Sequence, residues 1–499
     1  MKVVCINHQE FNSILDILRL YFQDISLKEN SIKIEEPKTS NINCTIVSSQ
    51  NMEVTKEQMR DQADQSQIFV QTFIEASDLK ISNTVVPSAL RRELKRQMYF
   101  ILSSLLNISY PWGSLTGIRP TQIALRVYQA ENCNFTLAKE SLMKFWFVSE
   151  EKAKIALETA IAEDQILQNC NTKLPMLYIG IPFCSTRCSY CSFITQDATT
   201  RAGHMDIYTS SLIEEIKQIS DYMKDQGKKF SALYIGGGTP TALSDPSFEK
   251  LIDSINDHVP LVPNAEITVE AGRADSITFS KLKLIKTLGD VRICINPQTM
   301  HDHTLKLIGR DHTVEQVYDG MKMARELGFE NINMDLILGL PQEEKQDFLD
   351  SLEKILELKP QGITVHTMAL KRSAFLEQKY NQKYLDLRFP DQDLAQAFSK
   401  AIHLLKENQY FPYYLYRQKN VRGGLENIGF AKKGFACNYN VGMMSDQVSV
   451  IGLGSGSTTK IVKGDLVERN YNPKDILIYS ERITELIDKK IDFLSKFNL

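Results

Sequence analysis

The chain has 499 residues, 43% hydrophobic and 24% charged, so it can bury large cores and is not intrinsically disordered. Lys+Arg 58 against Asp+Glu 61 leaves a formal charge of -3, which argues against a dedicated nucleic-acid coat and an acidic tail. The length predicts about three domains.

The opening apolar run, Met1–Cys5, breaks at Asn7-His8-Gln9-Glu10. It is too short for a signal peptide or a membrane span, and the expected compartment is the cytoplasm, without stable membrane insertion. Strand-like pieces follow at Lys2–Ile6, Ser31–Ile34 and Gln67–Ile74, with an amphipathic helix over Phe11–Phe22. The Ser/Asn/Gln-rich stretch Lys38–Asn51 reads as mobile loop. Residues 1–88 are therefore expected to form a small, irregular α+β module. From Ala89 the pattern turns helical. Leu94, Met98, Ile101, Leu102 and Leu105 recur at helical spacing, and further helices are expected from Pro120 and from Leu137. The run breaks near Tyr110-Pro111-Trp112-Gly113, and Pro120 suits the first turn of a helix. Residues 89–170 read as a helical connector.

After Pro175 the period becomes regular. Apolar, β-branched runs end near Ile179, Ile235, Val269, Ile295, Met334 and Val365. Between them lie helical stretches at Met205–Tyr222, Pro246–Ile255, Ser276–Thr287, Val314–Leu327 and Lys345–Leu358. Strands alternating with helices predict an α/β fold, a partial (β/α)6 barrel over residues 171–370, with its chemistry at the C-terminal ends of the strands. The region before it is an α+β/helical extension. Residues 371–499 form a C-terminal α+β extension on the substrate side. It holds a helix over Gln392–Lys406, an aromatic run Tyr410–Tyr416, and a strand Val448–Gly452 that leads into Gly452-Leu453-Gly454-Ser455-Gly456-Ser457. A last helix is expected over Pro473–Ile491.

Nine cysteines, odd and sparse, argue against a disulfide scaffold. Cys5, Cys44, Cys133, Cys170, Cys294 and Cys437 stand alone, whereas Cys184, Cys188 and Cys191 cluster just after the first barrel strand. At the chain's cysteine frequency that spacing arises by chance with a probability on the order of 0.003. Two chemistries suit it. Zinc prefers four ligands and two-residue spacings. A [4Fe–4S] cube on three thiolates leaves one iron open to another ligand. His204, the next His or Cys, is distant in sequence.

Gly236-Gly237-Gly238 follows a strand directly and lets the backbone approach a small polar ligand, with Thr239 and Pro240 fixing the turn. Glu270 ends the third strand, where a carboxylate can accept from hydroxyls or an amino group. Gln298, Arg310 and Asp335 lie near or beyond the ends of strands four and five. Phe183 and Tyr190 are placed to wall the cysteines off from water. His301, His303 and His312 read as surface or supporting residues, Cys294 as a small hydrophobe, and Cys437 has no assigned role. Lys and Arg form no stripe, despite Arg91–Arg96, so no nucleic-acid partner is expected.

The cysteine spacing resembles that of the radical S-adenosylmethionine enzymes. The wider motifs resemble their oxygen-independent coproporphyrinogen III oxidase family. They run from Tyr178-Ile179-Gly180-Ile181-Pro182-Phe183 through the cysteines to Phe193. They continue with Gly236–Pro240, Thr268-Val269-Glu270, Asn296-Pro297-Gln298-Thr299, Gly309–Thr313 and Asn331–Pro341. Trp112–Pro120 and Tyr413–Asn420 extend the resemblance over nearly the whole chain, toward the HemZ-type coproporphyrinogen dehydrogenases.

This resemblance implies a [4Fe–4S] cluster on Cys184, Cys188 and Cys191, with S-adenosyl-L-methionine on its open iron. It implies cosubstrate contacts from Tyr178, Phe183, Tyr190, Gly236, Gly237, Gly238, Thr239, Glu270, Gln298, Arg310 and Asp335, with Glu270, Arg310 and Asp335 as the catalytic set. Tyr178 would face the sulfonium, Arg310 the carboxylate and Asp335 the ribose. The implied reaction is oxidative decarboxylation of coproporphyrinogen III to protoporphyrinogen IX through a 5′-deoxyadenosyl radical. An electron donor such as flavodoxin or ferredoxin is implied, and the protein is expected as a monomer or weak homo-oligomer. Lys371, Arg372, Arg417, Lys419 and Arg422 are candidates for holding propionates of the tetrapyrrole.

Two positions depart from the decarboxylase pattern. Phe193 stands where those enzymes carry a fourth cysteine, and Cys437-Asn438 stands where relatives show His-Asn. A haem-binding chaperone and a haem-opening methyl-transfer enzyme therefore stay open as alternatives.

Overall fold

The computed structural model describes residues 1–22, 25–28, 31–34, 45–52, 68–75, 78–191, 196–198, 202–369, 391–418 and 421–498. The chain divides into two compact units, one built on Met1–Leu157 and one on the residues from Glu158 onward.

In the first unit, β1 (Lys2–Ile6), β2 (Ile25–Lys28), β3 (Ser31–Ile34), β4 (Thr45–Met52), β5 (Ile68–Ile74) and β6 (Lys80–Val85) form a sheet in the order β2-β3-β1-β4-β5-β6. The amphipathic faces of α1 (Phe11–Tyr21) and α2 (Leu90–Leu106) bury Ile14, Ile17, Leu18, Met98, Ile101 and Leu102 with Val3, Ile32 and Ile46 of the sheet. The supposed mobile stretch thus carries β4. Ile46, Val47 and Ser48 are all buried, since β4 lies between β1 and β5. Strand β6 escaped the sequence pattern because it is an edge strand with no fully buried residue. Pro120 occupies the first turn of α3 (Pro120–Ala130). It is followed by α4 (Phe135–Trp146) and α5 (Glu150–Asn169).

The second unit takes in α5 from Glu158 onward, then β7 (Met176–Ile181) and the two-residue strands β8 (Phe183–Cys184) and β9 (Gln196–Asp197). The parallel series continues with β10 (Phe230–Gly237), β11 (Leu261–Glu270), β12 (Val291–Cys294), β13 (Asn331–Leu338) and β14 (Gly362–Thr367). The crossovers carry α6 (Ala202–Asp225), α7 (Asp245–His258), α8 (Phe279–Lys286), α9 (Asp302–Leu307) with α10 (Val314–Glu326), and α11 (Lys345–Glu357). Continuous burial along β12 and nearly so along β7 fits strands covered on both faces. This is the expected (β/α)6 core, with α9 as an addition.

The chain after β14 adds α12 (Gln392–Glu407), β15 (Phe411–Tyr416), β16 (Asn427–Ala431), α13 (Asn438–Met444), β17 (Val450–Leu453), β18 (Thr458–Lys463), β19 (Leu466–Tyr471), α14 (Ile476–Glu481) and α15 (Ile483–Ser495). Its strands extend the same sheet at both ends. β16 pairs antiparallel with β14, and β17 pairs parallel with β7, giving an 11-stranded order β15-β16-β14-β13-β12-β11-β10-β7-β17-β18-β19. Among the described residues β7 and β14 do not pair with each other, so the barrel is open. The last helix is not one element as expected. It breaks at Arg482, whose backbone (φ -106°, ψ 19°) leaves the helical region.

A buried polar knot fixes the turn after β17. Glu215 of α6 is fully buried, forms an ion pair with Lys490 of α15, and accepts from the Gly454 amide at 2.7 Å, the Tyr479 hydroxyl at 2.7 Å and Asn472 Nδ2 at 2.9 Å. Burial raises the Glu215 carboxyl, but Lys490 and the other donors outweigh it and hold it below its ordinary range.

Candidate active site

Strand β7 delivers the chain to Pro182 and the cysteine loop at the C-terminal end of the sheet. The turn after β10 locks onto this loop: the Gly238 amide donates to the Ile181 carbonyl and the Thr239 amide to the Phe183 carbonyl, both at 2.7 Å. A Cβ on Gly238 would lie 2.4 Å from that Phe183 oxygen, so only glycine permits the approach. From the other side, Ser189 N donates to the Ile308 carbonyl at 2.9 Å and Thr186 Oγ1 to the Gly309 carbonyl at 3.1 Å. Thr239 Oγ1 donates to Cys184 Sγ at 3.6 Å. Burial pushes the Cys184 thiol up to about 11, with Thr239 pulling it down.

Tyr178, Cys184, Cys188, Tyr190, Cys191, Gly237, Gly238, Thr239, Glu270, Gln298, Arg310 and Asp335 all line one cavity of about 570 Å³. Phe183 and Gly236 do not. The Phe183 ring is buried behind the loop, edge-on to Tyr208 with centroids 5.5 Å apart. Gly236 lies beneath Glu270, where a Cβ would come within 2.8 Å of its carboxyl carbon. Tyr190 sits at the wall against Ile308, Ile337, Leu340 and Met368.

Glu270 Oε1 accepts from the Tyr234 hydroxyl at 2.6 Å. Burial, reinforced by the charge of Asp335, pushes the Glu270 carboxyl up to about 7, against the pull of Tyr234. Asp335 behaves oppositely. Burial raises it, but His366, Thr364 and Asn333 together hold it below its ordinary range. Asn333 Nδ2 donates to its Oδ1 at 2.7 Å, and His366 Nε2 lies 3.6 Å from its Oδ2. Two adjacent carboxyls thus differ in charge tendency near neutrality. The Arg310 guanidinium faces Tyr190 and Cys188 and donates to the carbonyls of Asn296 and, at 3.4 Å, Gly272. Gln298 is held in the left-handed region at φ 71°, a costly conformation for a side chain. Its Oε1, and Oδ1 of Asn296, are buried with no hydrogen-bond partner among the described residues, beside the cavity they line.

Besides Tyr178, which the sequence reading assigns to the cosubstrate, several lining residues carry no assignment there. Tyr178, Tyr234 and Tyr439 form an aromatic cluster with centroids 4.4 to 6.3 Å apart. Tyr234 was accessible to reasoning, since it shares a strand face with Gly236 at a spacing of two. Tyr439 was not, because a helix distant in sequence supplies it. Glu266 accepts from the Asn438 and Tyr439 amides at 2.7 and 2.9 Å and receives the Cys437 thiol at 3.4 Å, so Cys437 serves this helix start. Arg273 and His366 were also missed. His312, read as surface or supporting, is buried behind Arg273 and Asp275, whereas His303 is exposed. Of the proposed propionate holders, Arg417 is half-buried, bonds the Gly424 carbonyl at 3.2 Å and does not line the cavity. Lys371, Arg372, Lys419 and Phe193, and the side chain of Arg422, lie outside the described residues.

Among the described residues no three His, Cys, Asp or Glu donors converge on a single ion. A structural zinc needs such convergence. Each thiolate of an iron-sulfur cube binds a different iron, so three cysteines spaced around one cavity fit the cube better. The two orphaned amide oxygens and the glycine turn beside them fit a polar organic ligand.

Residues 178–355 match the Radical SAM superfamily. The chain is 36% identical over 417 residues to the oxygen-independent coproporphyrinogen-III oxidase-like protein HemZ of Bacillus subtilis, covering 81% of this chain and 82% of that one. It is 32% identical to the heme chaperone HemW of Lactococcus lactis over 56% of this chain and 68% of that one. The fold resembles the solved coproporphyrinogen III oxidase HemN of Escherichia coli, with a TM-score of 0.51, 24% identity, and coverage of 65% of this chain and 72% of that one. Radical SAM proteins use a [4Fe–4S] cluster and S-adenosylmethionine, the groups this cavity fits. With four-fifths of its length aligned to one relative, the chain belongs to the Radical SAM superfamily and, within it, to the HemZ type of oxygen-independent coproporphyrinogen-III oxidase-like proteins.

Proposed function

We propose that the protein catalyses the oxygen-independent decarboxylation of coproporphyrinogen III to protoporphyrinogen IX. Each reacting propionate loses a hydrogen atom from its β-carbon, then carbon dioxide, passes one electron to a one-electron acceptor, and becomes a vinyl group. The observation that carries this reading is the convergence of Cys184, Cys188, Cys191, the glycine turn, Glu270 and Asp335 on one tyrosine-lined cavity, in a chain similar to HemZ over most of its length.

When bound on Cys184, Cys188 and Cys191, the cluster with S-adenosylmethionine supplies the 5′-deoxyadenosyl radical that takes the hydrogen atom. The chain's own residues position and protect. Gly237 and Gly238 admit the cosubstrate's amino acid end close to the backbone. Glu270 receives its amino group, and a cation there draws this carboxyl into its ionised form. Asp335, already ionised, accepts from ribose hydroxyls. The free amide oxygens of Asn296 and Gln298 accept further donors, and Arg310 attracts the carboxylate. The cluster formed by Tyr178, Tyr234 and Tyr439 offers flat apolar surface to a macrocycle. A one-electron protein such as flavodoxin or ferredoxin is the proposed donor.

A second reading, a haem-binding chaperone, is favoured by Phe193 in place of a fourth cysteine and by the likeness to HemW. One experiment separates them: anaerobic turnover with coproporphyrinogen III deuterated at the propionate β-carbon. Deuterium in 5′-deoxyadenosine and stepwise loss of two carboxyl groups are expected. Cosubstrate cleavage without either, together with firm haem binding, refutes the decarboxylase reading in favour of the chaperone.

A further inference from the structure

Arg273 is among the largest fully buried side chains, yet it carries a charge. Its Nη1 donates to the Thr186 carbonyl at 2.9 Å and to Cys188 Sγ at 3.7 Å, a hydrogen-bond distance for sulfur. Its Nε and Nη2 grip the two oxygens of Asp275 at 3.0 and 3.3 Å. Burial raises the Asp275 carboxyl, but hydrogen bonds from Arg273 and Ser185 outweigh it and keep it below its ordinary range. Behind Asp275 stands the buried ring of His312, 3.9 Å away. The guanidinium is therefore clamped in one orientation, aimed at one thiol. Cys184 and Cys188 differ in their hydrogen-bond donors. Cys184 receives the neutral Thr239 hydroxyl, whereas Cys188 faces two guanidiniums, Arg273 and Arg310.

We propose that Arg273 sets the reduction potential of the iron-sulfur cluster through its hydrogen bond to Cys188, and that Asp275 moderates that effect by offsetting the guanidinium's charge. A donor to a cluster sulfur and a nearby cation both stabilise the more negative, reduced cluster. Arg273 lines the same cavity as the glycine turn and Glu270, and its role here is to position and tune rather than to react. The proposal rests on the cluster assignment and is independent of which tetrapyrrole is the substrate.

The test uses the full chain, reconstituted anaerobically as wild type, Arg273→Gln, Arg273→Lys and Asp275→Asn. Iron content is measured first, then the midpoint potential by spin-resonance-monitored titration without substrate. In Arg273→Gln the reduced-to-oxidised ratio at a fixed potential should fall on the order of tenfold, a shift of ~59 mV for one electron. Arg273→Lys should recover part of it. Asp275→Asn should shift the potential the opposite way, a sign that a merely structural role does not produce. Full iron with unmoved potentials, or shifts of the same sign in Arg273→Gln and Asp275→Asn, overturns the proposal. Should Arg273→Gln fail to load, the sign of the Asp275→Asn shift decides. Iron absent from the wild type overturns the cluster assignment and this proposal with it.

Discussion

Replacing Glu270 with Gln should stabilise the empty protein at neutral pH while weakening it as an enzyme. The Glu270 carboxyl rises from its ordinary 4.5 to about 7, chiefly because it is buried and Asp335 lies near. A raised carboxyl binds its proton more tightly folded than unfolded. Its stabilising contribution is therefore full below about pH 4.5 and lost as pH climbs through about 7. That rise corresponds to ~3 kcal/mol at 1.36 kcal/mol per unit. The carboxyl opens on a cavity, where water screens it, so ~1–2 kcal/mol is the better expectation. Gln keeps an acceptor for Tyr234 and never ionises. Glu270→Gln should match wild type near pH 4.5 and exceed it by that amount at pH 8. The assay is hydrogen exchange of the β11 segment across a urea series at both pH values, which reports the second unit alone. Parallel stability profiles between pH 4.5 and 8 would refute the reasoning.

Alanine at Cys184, Cys188 or Cys191 should abolish iron loading and cosubstrate cleavage while far-ultraviolet circular dichroism persists; retained iron in all three counts against the site. Gly236→Ala puts a methyl within 2.8 Å of the Glu270 carboxyl carbon and 2.7 Å of the Tyr234 ring, so the pair must part. Iron should load normally while S-adenosylmethionine binds on the order of tenfold more weakly, about 1.4 kcal/mol by equilibrium titration; unchanged affinity removes Glu270 from the pocket. Lys490→Met leaves the buried Glu215 unpaired and should cost about 3–5 kcal/mol in urea unfolding. Adding Glu215→Gln should recover much of that loss, and equal loss in the single and double variants argues against the charge explanation.

The parallel core was legible because each strand is a short apolar run followed by a helix, a pattern local to some thirty residues. The cysteines, the glycine turn, Glu270 and Asp335 were legible for the same reason, since each lies at or near a recognisable strand end. What stayed hidden depends on partners far away in the chain. His366 meets Asp335 only because β14 pairs with β13 in one register. Arg273 reads as an ordinary loop arginine until Cys188 and Asp275 are placed around it. Strand β4 hid in a polar stretch because its flanks are polar and only Ile46 and Val47 signal burial. The final helix looked continuous because nothing in the side chains around Arg482 marks the backbone turn.

The pairing of β7 with β17 sets an order of events during synthesis. Val450 lies opposite Met176, with the cysteine loop hanging from the far end of β7. About 270 residues separate the two strands, which takes roughly 15–55 s at ordinary elongation rates. Throughout that interval β7 lacks its neighbour on the side that β17 occupies, which leaves a bare strand edge. Such an edge invites foreign strands. Gly456, Ser457 and Thr458 close one side of the cavity only after the β17 segment has left the ribosome. The wall of the cavity beside the cysteine loop is therefore complete only once the chain beyond β17 has been made.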